Sequence, residues 1–551
     1  MNMPQKLRFN KYERSFIIII AFLISVSTTG CSQDVKKSHP ADTSNRAWDK
    51  TIPGNFSSQS TAVFDSTQLI TFLKQYPKFN EFAGNIKSFY RKRDFAYAWY
   101  DKGVIIEQAG NLTNRVLNIQ NEGIYTGAPY THQLDSLFYK VNAVKNKPDI
   151  QLELMLTSQY FAFSKVAWEG LDNSASRAAK WYVPRKKVSY EDYLDSLLKA
   201  PSLSAPVDEP VYRQYELLKN YLGKYRELDK ADSWQPIISK TILKSGDSSA
   251  VIPLVKSRLF KLGYYRGDTT KRLFDGGLMA SVKKFQGLYG LTINGRLDKA
   301  TFSELNVPVK DRIEQIIVNM ERSRWLPVKL DGDYLAVNIP EFKLHVYHGD
   351  SLLWSCNVVV GKTMHETVIF YGEVQYVVFS PYWNVPPSIV RNEILPKMKK
   401  NPNYLANQRM EITGSLNGLP VVRQKPGPTN SLGLVKFLFP NTYNIYLHDT
   451  PSKALFEETS RNFSHGCIRV KEPVKLANFL LKDRPEWTAA NIDKAMHAST
   501  EKTVTLKPKV PVFIAYLTAF VDRDNEINFR KDIYNHDDKL AAMLVSAKGA
   551  K

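Results

Sequence analysis

The chain has 551 residues, and 75 Lys and Arg against 54 Asp and Glu give it a formal net charge of +21. Hydrophobic residues make up 43% of the sequence and aromatic residues 12%, which excludes a disordered tail protein. The length exceeds what one hydrophobic core serves, and three cysteines cannot form a disulfide framework, so we expect two to four domains held by packing.

The first residues have the pattern of an export signal. Basic residues precede an apolar run over 16–26, which is shorter than the ~20 residues of a membrane-spanning helix, and small residues lead to Cys31. This segment resembles a bacterial lipobox, which implies that 1–31 is a lipoprotein signal peptide and that Cys31 is lipidated. The alternative is an ordinary signal peptide in which Cys31 is incidental.

The composition of 32–61 is polar and rich in Ser, Thr, Asn and Pro, which is typical of a flexible linker. Together with the signal, it predicts a protein exported to the cell envelope, in the periplasm, and anchored to a membrane through its lipidated N-terminus. A basic exported protein suits an anionic envelope, and the export signal makes nucleic acid an improbable partner.

The region 62–240 has helical periodicity and no catalytic cluster. Apolar residues recur at helical spacing over 150–168, and tyrosines and leucines repeat the pattern over 193–198 and 212–221. Aromatic stripes at this spacing are typical of a packed core. We therefore expect a helical scaffold domain here.

Residues 244–308 have the pattern of three short helices. Gly246 precedes the first helix, Phe285 lies in the second, and Gly290 and Gly295 occupy the turns before the third. The order of these positions resembles the three-helix peptidoglycan-binding module. The alternative is a generic three-helix bundle.

From 333 onward the sequence changes to short runs rich in β-branched and aromatic residues. The predicted strands cover 334–339, 343–347, 355–360, 373–380, 444–447 and 512–521. We expect a mostly β catalytic domain over 333–540, so that the whole chain is a multidomain α+β protein. The polar segment 386–440 is too long for a passive loop, which predicts a lid-like insertion.

The candidate chemistry concentrates around one histidine and one cysteine. His448 follows a predicted strand, and fifteen residues separate it from the run Ser464, His465, Gly466 and Cys467. A nucleophilic cysteine needs a neighbouring base or cation to form its thiolate near neutral pH. Glycine allows a tight turn that aims consecutive N–H groups at a developing oxyanion. The pattern predicts a nucleophile, a base and oxyanion donors on two adjacent segments.

This spacing resembles the signature of the YkuD-type L,D-transpeptidases, with Arg469 where many members have Asn. The Arg variant resembles the large periplasmic branch, in which a helical scaffold and a peptidoglycan-binding module precede the catalytic domain. The segments that share the resemblance are 359–362, 381–386, 426–433 and 446–451.

The resemblance implies that Cys467 is the nucleophile and His448 its general base, and that backbone N–H groups around Ser464, His465 and Gly466 form the oxyanion hole. The implied reaction attacks the third residue of a peptidoglycan tetrapeptide stem and expels the terminal D-alanine. The stem is held as a thioester until an amine of a neighbouring stem resolves it. The product is a 3→3 cross-link, made without ATP.

The resemblance also implies that a backbone carbonyl, and not the Asp449 carboxylate, orients the base. It implies no cofactor and no metal, and a zinc site would need three or four ligands where no second Cys or close His pair lies near. Cys356 is expected to be a buried apolar residue of a strand. His345 and His348 are expected to lie at a solvated strand edge.

Four residues are candidates for substrate binding. Arg469 and Arg423 carry guanidinium groups that match carboxylates, although Arg469 could instead fix the nucleophile loop and surface salt bridges are an alternative for both. Trp383 lies in an aromatic and proline-rich run that is either core or groove lining, and Tyr446 precedes His448 in a matching segment. The expected partners are stem peptides and glycan strands of peptidoglycan.

Two other functions remain open at this point. One is a hydrolase in the same site, an L,D-carboxypeptidase or a cross-link-cleaving enzyme, in which water takes the acyl group. The choice of acceptor would depend on how 386–440 shields the thioester. The other is a non-catalytic wall-anchoring lipoprotein, against which the intact pair His448 and Cys467 argues.

Overall fold

The computed structural model describes residues 62–143, 147–199 and 208–546 of the chain. The predicted signal, Cys31 and the linker 32–61 lie outside the described residues. Within the described residues, no helix is both long and apolar enough to cross a membrane.

The first part of the chain is helical, which confirms the predicted scaffold. Its helices are α1 Thr67–Gln75, α2 Ala83–Arg91, α3 Glu107–Leu117, α4 Thr131–Ala143, α5 Ile150–Ser164, α6 Asn173–Ala178, α7 Tyr190–Lys199 and α8 Gln214–Ala231. Helix α5 is central, because nearly all of its residues are buried. Short strands interrupt the helices, namely β1 Tyr100–Asp101, β2 Val104–Ile105 and β3 Trp181–Tyr182.

The next part forms three helices, α9 Ile252–Lys261, α10 Gly276–Leu288 and α11 Lys299–Leu305. Asp275 and Asp298 cap the second and third helices by accepting hydrogen bonds from backbone N–H groups. The buried side chain of Gln286 accepts hydrogen bonds from the N–H groups of Asn294 and Gly295, at 3.0 and 2.8 Å. The contact holds the turn at Asn294 and Gly295 against α10, which explains why the sequence has Gln286 in the helix and Asn-Gly in the turn.

Helix α12, Val309–Trp325, leads from this part into the sheet. It packs against α8, and one hydrophobic core runs from the scaffold through α9–α12 to the hairpin β16 Ala519–Val521 and β17 Ile527–Phe529. Tyr289 of the three-helix part contacts Phe529 of the hairpin, with ring centroids 5.3 Å apart. The described parts therefore pack together rather than hang on linkers.

The sheet-rich part surrounds a second core. Its strands are β4 Asp333–Asn338, β5 Lys343–His348, β6 Ser351–Gly361, β7 Ile369–Phe379, β11 Val435–Leu438, β12 Leu447–His448, β13 Asn462–Ser464, β14 Ile468–Val470 and β15 Lys502–Ala515. The strand order is β11, β12, β14, β6, β5, β4, β15, β7, β3, and β11 also pairs with β7, which closes the sheet. Helices α16 Pro473–Leu480, α17 Ala489–Met496 and α18 Asp537–Ser546 complete this part.

The insertion has its own small fold. It contains α13 Pro387–Ile389, α14 Leu395–Lys400, α15 Tyr404–Asn407, β9 Met410–Leu416 and β10 Leu419–Gln424, and β10 pairs with β8 Trp383–Asn384. Val385, Val390, Ile394, Met410 and Val422 form its core. The predicted end of the insertion at 440 is wrong, because β11 belongs to the closed sheet.

The strand predicted over 444–447 is also shorter than expected. Only Leu447 and His448 are in β12, since Asn444 has a φ of +55° and forms part of a turn. The Asn441 side chain holds this turn by accepting a hydrogen bond from the Ile445 N–H group at 3.2 Å. The turn delivers Tyr446 and His448 to the edge of β14.

Candidate active site

The predicted base and nucleophile lie on neighbouring segments of the sheet. Strand β12 runs parallel to β14, with Leu447 opposite Ile468 and His448 opposite Arg469. Because alternate residues of a strand share one face, His448 and Arg469 occupy the face toward which Cys467 also points. Cys467 is the residue immediately before β14, and the register places it beside Tyr446, the residue immediately before β12.

His448 is buried, with 4% of its surface exposed. Its Nδ1 lies 2.5 Å from the backbone carbonyl oxygen of Asp449, which assigns the proton to Nδ1 and leaves Nε2 as the basic nitrogen. Burial, together with the positive charge of Arg469, lowers the pKa of His448 to about 4. The imidazole is therefore neutral at physiological pH.

The Asp449 carboxylate is directed elsewhere. It accepts a hydrogen bond from the Leu434 N–H group at 2.9 Å and pairs with the Lys453 ammonium group. The base is thus oriented by a backbone carbonyl, while the carboxylate fixes the chain between the insertion and β11.

The Cys467 thiol lies 3.5 Å from the carbonyl oxygen of Asn444 and donates to it. Burial raises the pKa of Cys467 above its usual value, although hydrogen bonds from Tyr446 and the charge of Arg469 act in the opposite direction. The raised pKa of Cys467 and the lowered pKa of His448 both favour the neutral forms of the thiol and the imidazole. The sequence predicts neighbours that favour the thiolate, and in the structure burial outweighs them.

The turn before Cys467 depends on a glycine, since Gly466 has a φ of +111°. The Ser464 hydroxyl accepts a hydrogen bond from the Gly466 N–H group at 3.1 Å and donates to the Cys467 carbonyl at 2.6 Å. Within the described residues, the N–H groups of His465 and Cys467 have no hydrogen-bond acceptor. These two groups, and not the N–H of Gly466, are available as oxyanion donors.

A buried network that the sequence analysis missed supports this turn. The Thr367 hydroxyl donates to the Gly466 carbonyl at 2.8 Å and accepts from the Gly361 N–H group at 2.9 Å. The Tyr534 hydroxyl accepts from the Thr367 N–H group at 3.2 Å and donates to the Gly361 carbonyl at 2.5 Å. A Cβ on Gly361 would meet the His365 carbonyl at 2.0 Å, so only glycine fits there.

His465 connects the turn to the insertion. Its Nε2 lies 3.1 Å from Oε1 of Glu393, which belongs to the helical turn Val390–Ile394 of the insertion. Its ring also lies 5.1 Å from the ring of His365. Burial lowers the pKa of His465, and Glu393 acts against that shift.

The structure separates the four substrate-binding candidates into two groups. Arg469 and Tyr446 lie beside Cys467, and the buried Nε atom of Arg469 has no hydrogen-bond partner within the described residues. Arg423 instead belongs to the insertion, where its guanidinium pairs with Glu411 at 2.5 Å and stacks on a tyrosine ring. Trp383 packs against the core of the insertion.

The other cysteine and histidines occupy different surroundings. Cys356 is buried, and burial raises its pKa to about 11. His348 is 64% exposed at a strand edge, whereas the expectation of a solvated edge is wrong for His345, whose side chain is only 16% exposed. No group of three metal-binding side chains occurs in the part of the chain that the structure describes.

Comparisons with protein families match three regions of the chain. Residues 332–512 match the model of the L,D-transpeptidase catalytic domain, YkuD. Residues 84–222 match a scaffold domain, and residues 248–305 match a model described as "Putative peptidoglycan binding domain".

A curated relative from Haemophilus influenzae, named "Putative L,D-transpeptidase", is 32% identical over 243 residues. The match covers 41% of this chain and 49% of the relative, so it spans about half of the relative's length. The solved structures that are similar include an L,D-transpeptidase from Xylanimonas cellulosilytica, which is 13% identical with a TM-score of 0.18 and covers 50% of this chain and 99% of that one. An L,D-transpeptidase structure from Stackebrandtia nassauensis is 13% identical with a TM-score of 0.21, and the match covers 51% of this chain and 97% of that one. These matches identify residues 332–512 as an L,D-transpeptidase catalytic domain of the YkuD type, preceded by regions that match a scaffold domain and a putative peptidoglycan-binding domain.

Proposed function

We propose that the protein is a cysteine L,D-transpeptidase that forms 3→3 cross-links in peptidoglycan. The observation that carries this proposal is the pairing of β12, which contains His448, with β14, which follows Cys467, beside a turn with two N–H groups that have no acceptor within the described residues. This is the set of groups that acyl transfer through a thioester requires.

In the proposed reaction, the Cys467 sulfur attacks the carbonyl carbon of the third stem residue while the thiol proton passes to Nε2 of His448. The N–H groups of His465 and Cys467 stabilise the negative oxygen that forms. When the intermediate collapses, the D-alanine amine leaves with the proton from the imidazolium, and a thioester remains. An acceptor amine then attacks the thioester, gives its proton to His448, and restores the thiol.

Arg469 is proposed to bind a carboxylate of the donor stem. It lies beside the nucleophile, burial lowers its pKa, and its Nε has no partner within the described residues. A half-buried guanidinium without an acidic neighbour gains most from an anionic ligand. We further propose that the protein acts in the cell envelope, where lipidation of Cys31 would anchor it to a membrane.

Mass spectrometry of muropeptides tests the proposal. The full-length protein is incubated with peptidoglycan that contains tetrapeptide stems, and the Cys467→Ala variant serves as the control. Cross-linked dimers with loss of D-alanine support transfer. Tripeptide monomers alone would indicate the hydrolase, and unchanged peptidoglycan would favour a binding protein, so either result overturns the proposal.

A further inference from the structure

A cavity that is far from the nucleophile turn in sequence lies where three parts of the chain meet. Its volume is about 790 Å³, and we call it the interdomain cleft. The start of α8, helix α10 and the outer face of β4 and β5 form its walls, and Arg213, Lys283, Ile293, Tyr334, His345 and Tyr347 are among its lining residues. This volume is in the range of pockets that hold small molecules or segments of polymers.

The floor of the cleft is a trough between aromatic rings. Tyr334 pairs with Tyr347, and the rings stack with centroids 4.8 Å apart. Farther along the same face, Ala336 lies between His345 on β5 and Phe513 on β15. Because alanine fills little space beside tyrosine and phenylalanine, the sheet surface is hollow there.

Polar groups line the trough next to these rings. His345 bonds the Ser355 hydroxyl through Nδ1 at 2.7 Å and the Glu341 carboxylate through Nε2 at 2.9 Å. Six cationic side chains line the cleft against four acidic ones, so that its lining has a net positive charge. Two of the acidic groups are paired, Glu526 with Lys284 and Glu341 with Lys343, whereas Arg213 and Lys283 form no ion pair within the described residues. An apolar stacking surface beside hydrogen-bonding groups and unpaired cations suits a sugar polymer that carries carboxylates.

The walls of the cleft are held in place by direct contacts. The Gln214 side chain forms two hydrogen bonds of 2.7 Å with the backbone of Val521, and Arg530 donates to the Leu288 carbonyl at 2.6 Å. Lys284 pairs with Glu526 at 2.6 Å across the rim. The cleft is therefore preformed, which reduces the entropy cost of binding.

A neighbouring cavity of about 1170 Å³ continues the cleft, since both are lined by Gly287, Glu341 and Arg530. This neighbour reaches the segment from Phe456 to Arg461. That segment leads directly into β13 and the turn before Cys467. A polymer that lies in both cavities would run from the peptidoglycan-binding domain toward the catalytic site.

We propose that the interdomain cleft binds a glycan strand of peptidoglycan, with sugar rings in the trough and stem carboxylates at Arg213 and Lys283. The proposal rests on the proposed function for the identity of the polymer, and it is supported by the peptidoglycan-binding domain that forms one wall. Strand binding there would hold the substrate while its stems reach Cys467.

Calorimetry with the full-length Cys467→Ala protein tests the cleft without catalysis. The probe is a soluble tetrasaccharide of N-acetylglucosamine and N-acetylmuramic acid that carries tripeptide stems. We expect Arg213→Glu and Lys283→Glu each to raise Kd at least tenfold, because each places a carboxylate beside those of the ligand. Ala336→Trp, which fills the trough, should have the same effect.

The matched control is Lys244→Glu, an exposed lysine of the same domain that does not line either cavity. Its Kd should equal that of the parent protein. Parent protein that does not bind the probe, cleft variants that bind like the parent, or an equal loss in Lys244→Glu would each overturn the proposal. Because the assay excludes chemistry, a failure of cross-linking would leave its result unaffected.

Discussion

The Thr367 hydroxyl donates a hydrogen bond of 2.8 Å to the carbonyl of Gly466, the residue immediately before Cys467. Thr367 is in turn held by Tyr534, which lies beyond the residues 332–512 that match the catalytic domain. The orientation of the Cys467 N–H group therefore depends on a segment that follows the matched domain.

We expect Thr367→Val to slow acylation of Cys467, because the buried Gly466 carbonyl loses its partner and the oxyanion donors lose their support. The loss of one buried hydrogen bond costs about 1–3 kcal/mol, which corresponds to about 5- to 150-fold in rate. Stopped-flow measurement of acylation gives the rate, and Thr367→Ser, which keeps the hydroxyl, should remain near the parent. Equal rates for Val and Ser would mean that the hydroxyl does not position the turn.

A carbapenem should acylate Cys467, since its strained carbonyl presents the same target as the scissile amide. Mass spectrometry should find one added drug mass on the parent and none on Cys467→Ala. His448→Ala should slow the reaction by about 10² to 10⁴, the usual contribution of a general base.

The matched control for this experiment is Cys356→Ala. Cys356 is buried and its pKa is raised to about 11, so its removal should leave the adduct unchanged. Peptide mapping that finds the drug on Cys356 would contradict the assignment of the nucleophile.

The sequence predicts the residues of the site, but not the hydrogen-bond partners and the burial that surround them. The nucleophile, the base and the turn can be predicted because their residue types and their spacing, at 448 and 464–469, are visible in the sequence. The partners Thr367 and Tyr534 come from distant segments, and no local pattern distinguishes them from core residues. Burial, which raises the pKa of Cys467 and lowers that of His448, likewise depends on the assembled sheet.

The same limits apply to the fold. Helical periodicity predicts the scaffold, yet Trp181 and Tyr182 add a strand to the sheet of the catalytic domain, because a two-residue pairing leaves no periodic signal. The strand 435–438 is not predicted because four residues that follow a long polar segment leave only a weak pattern. The packing of Tyr289 on Phe529 could not be predicted, since it joins two parts through an interface of ordinary aromatic residues.

The pH dependence of acylation should show that the His448 imidazole and the Cys467 thiol are both neutral near pH 7. Since burial lowers the pKa of His448 to about 4, protonation should inactivate the base only as the pH falls below about 5. Since the pKa of Cys467 is raised, its alkylation by iodoacetamide should still increase above pH 9. A profile of acylation rate with an acid limb near pH 6.5, or full alkylation at pH 7, would indicate an ion pair instead.

The contact between His465 and Glu393 predicts how the insertion affects the turn. Glu393 counteracts the lowering of the His465 pKa, so Glu393→Gln should lower that pKa further. An NMR titration of the His465 ring protons measures the shift, and His348, which lies on another edge beside Asp333, provides an internal reference. An unchanged pKa would show that the insertion does not contact the turn in solution.

Arg324 and Glu321 form a buried ion pair within α12, and both side chains also contact the backbone of the scaffold. Arg324 also donates to the carbonyls of Ala167 and Glu122 at 2.9 and 2.8 Å, and the Glu321 carboxylate accepts from the backbone of Leu171 at 2.6 Å. Breaking a buried pair from one side costs about 3–5 kcal/mol, because the remaining charge has no counterion. Glu321→Gln should therefore lower the free energy of unfolding by about that amount.

Urea denaturation of the full-length protein measures this loss, and Glu314→Gln on the same helix is the matched control. Glu314 is exposed, and desolvation together with nearby acidic groups raises its pKa, so its neutralisation should change stability by no more than about 0.5 kcal/mol. If both variants unfold at the same urea concentration, the buried pair does not hold the scaffold on α12. If only Glu321→Gln is destabilised, the connection between the scaffold and the catalytic domain depends on a charge pair that is buried from water.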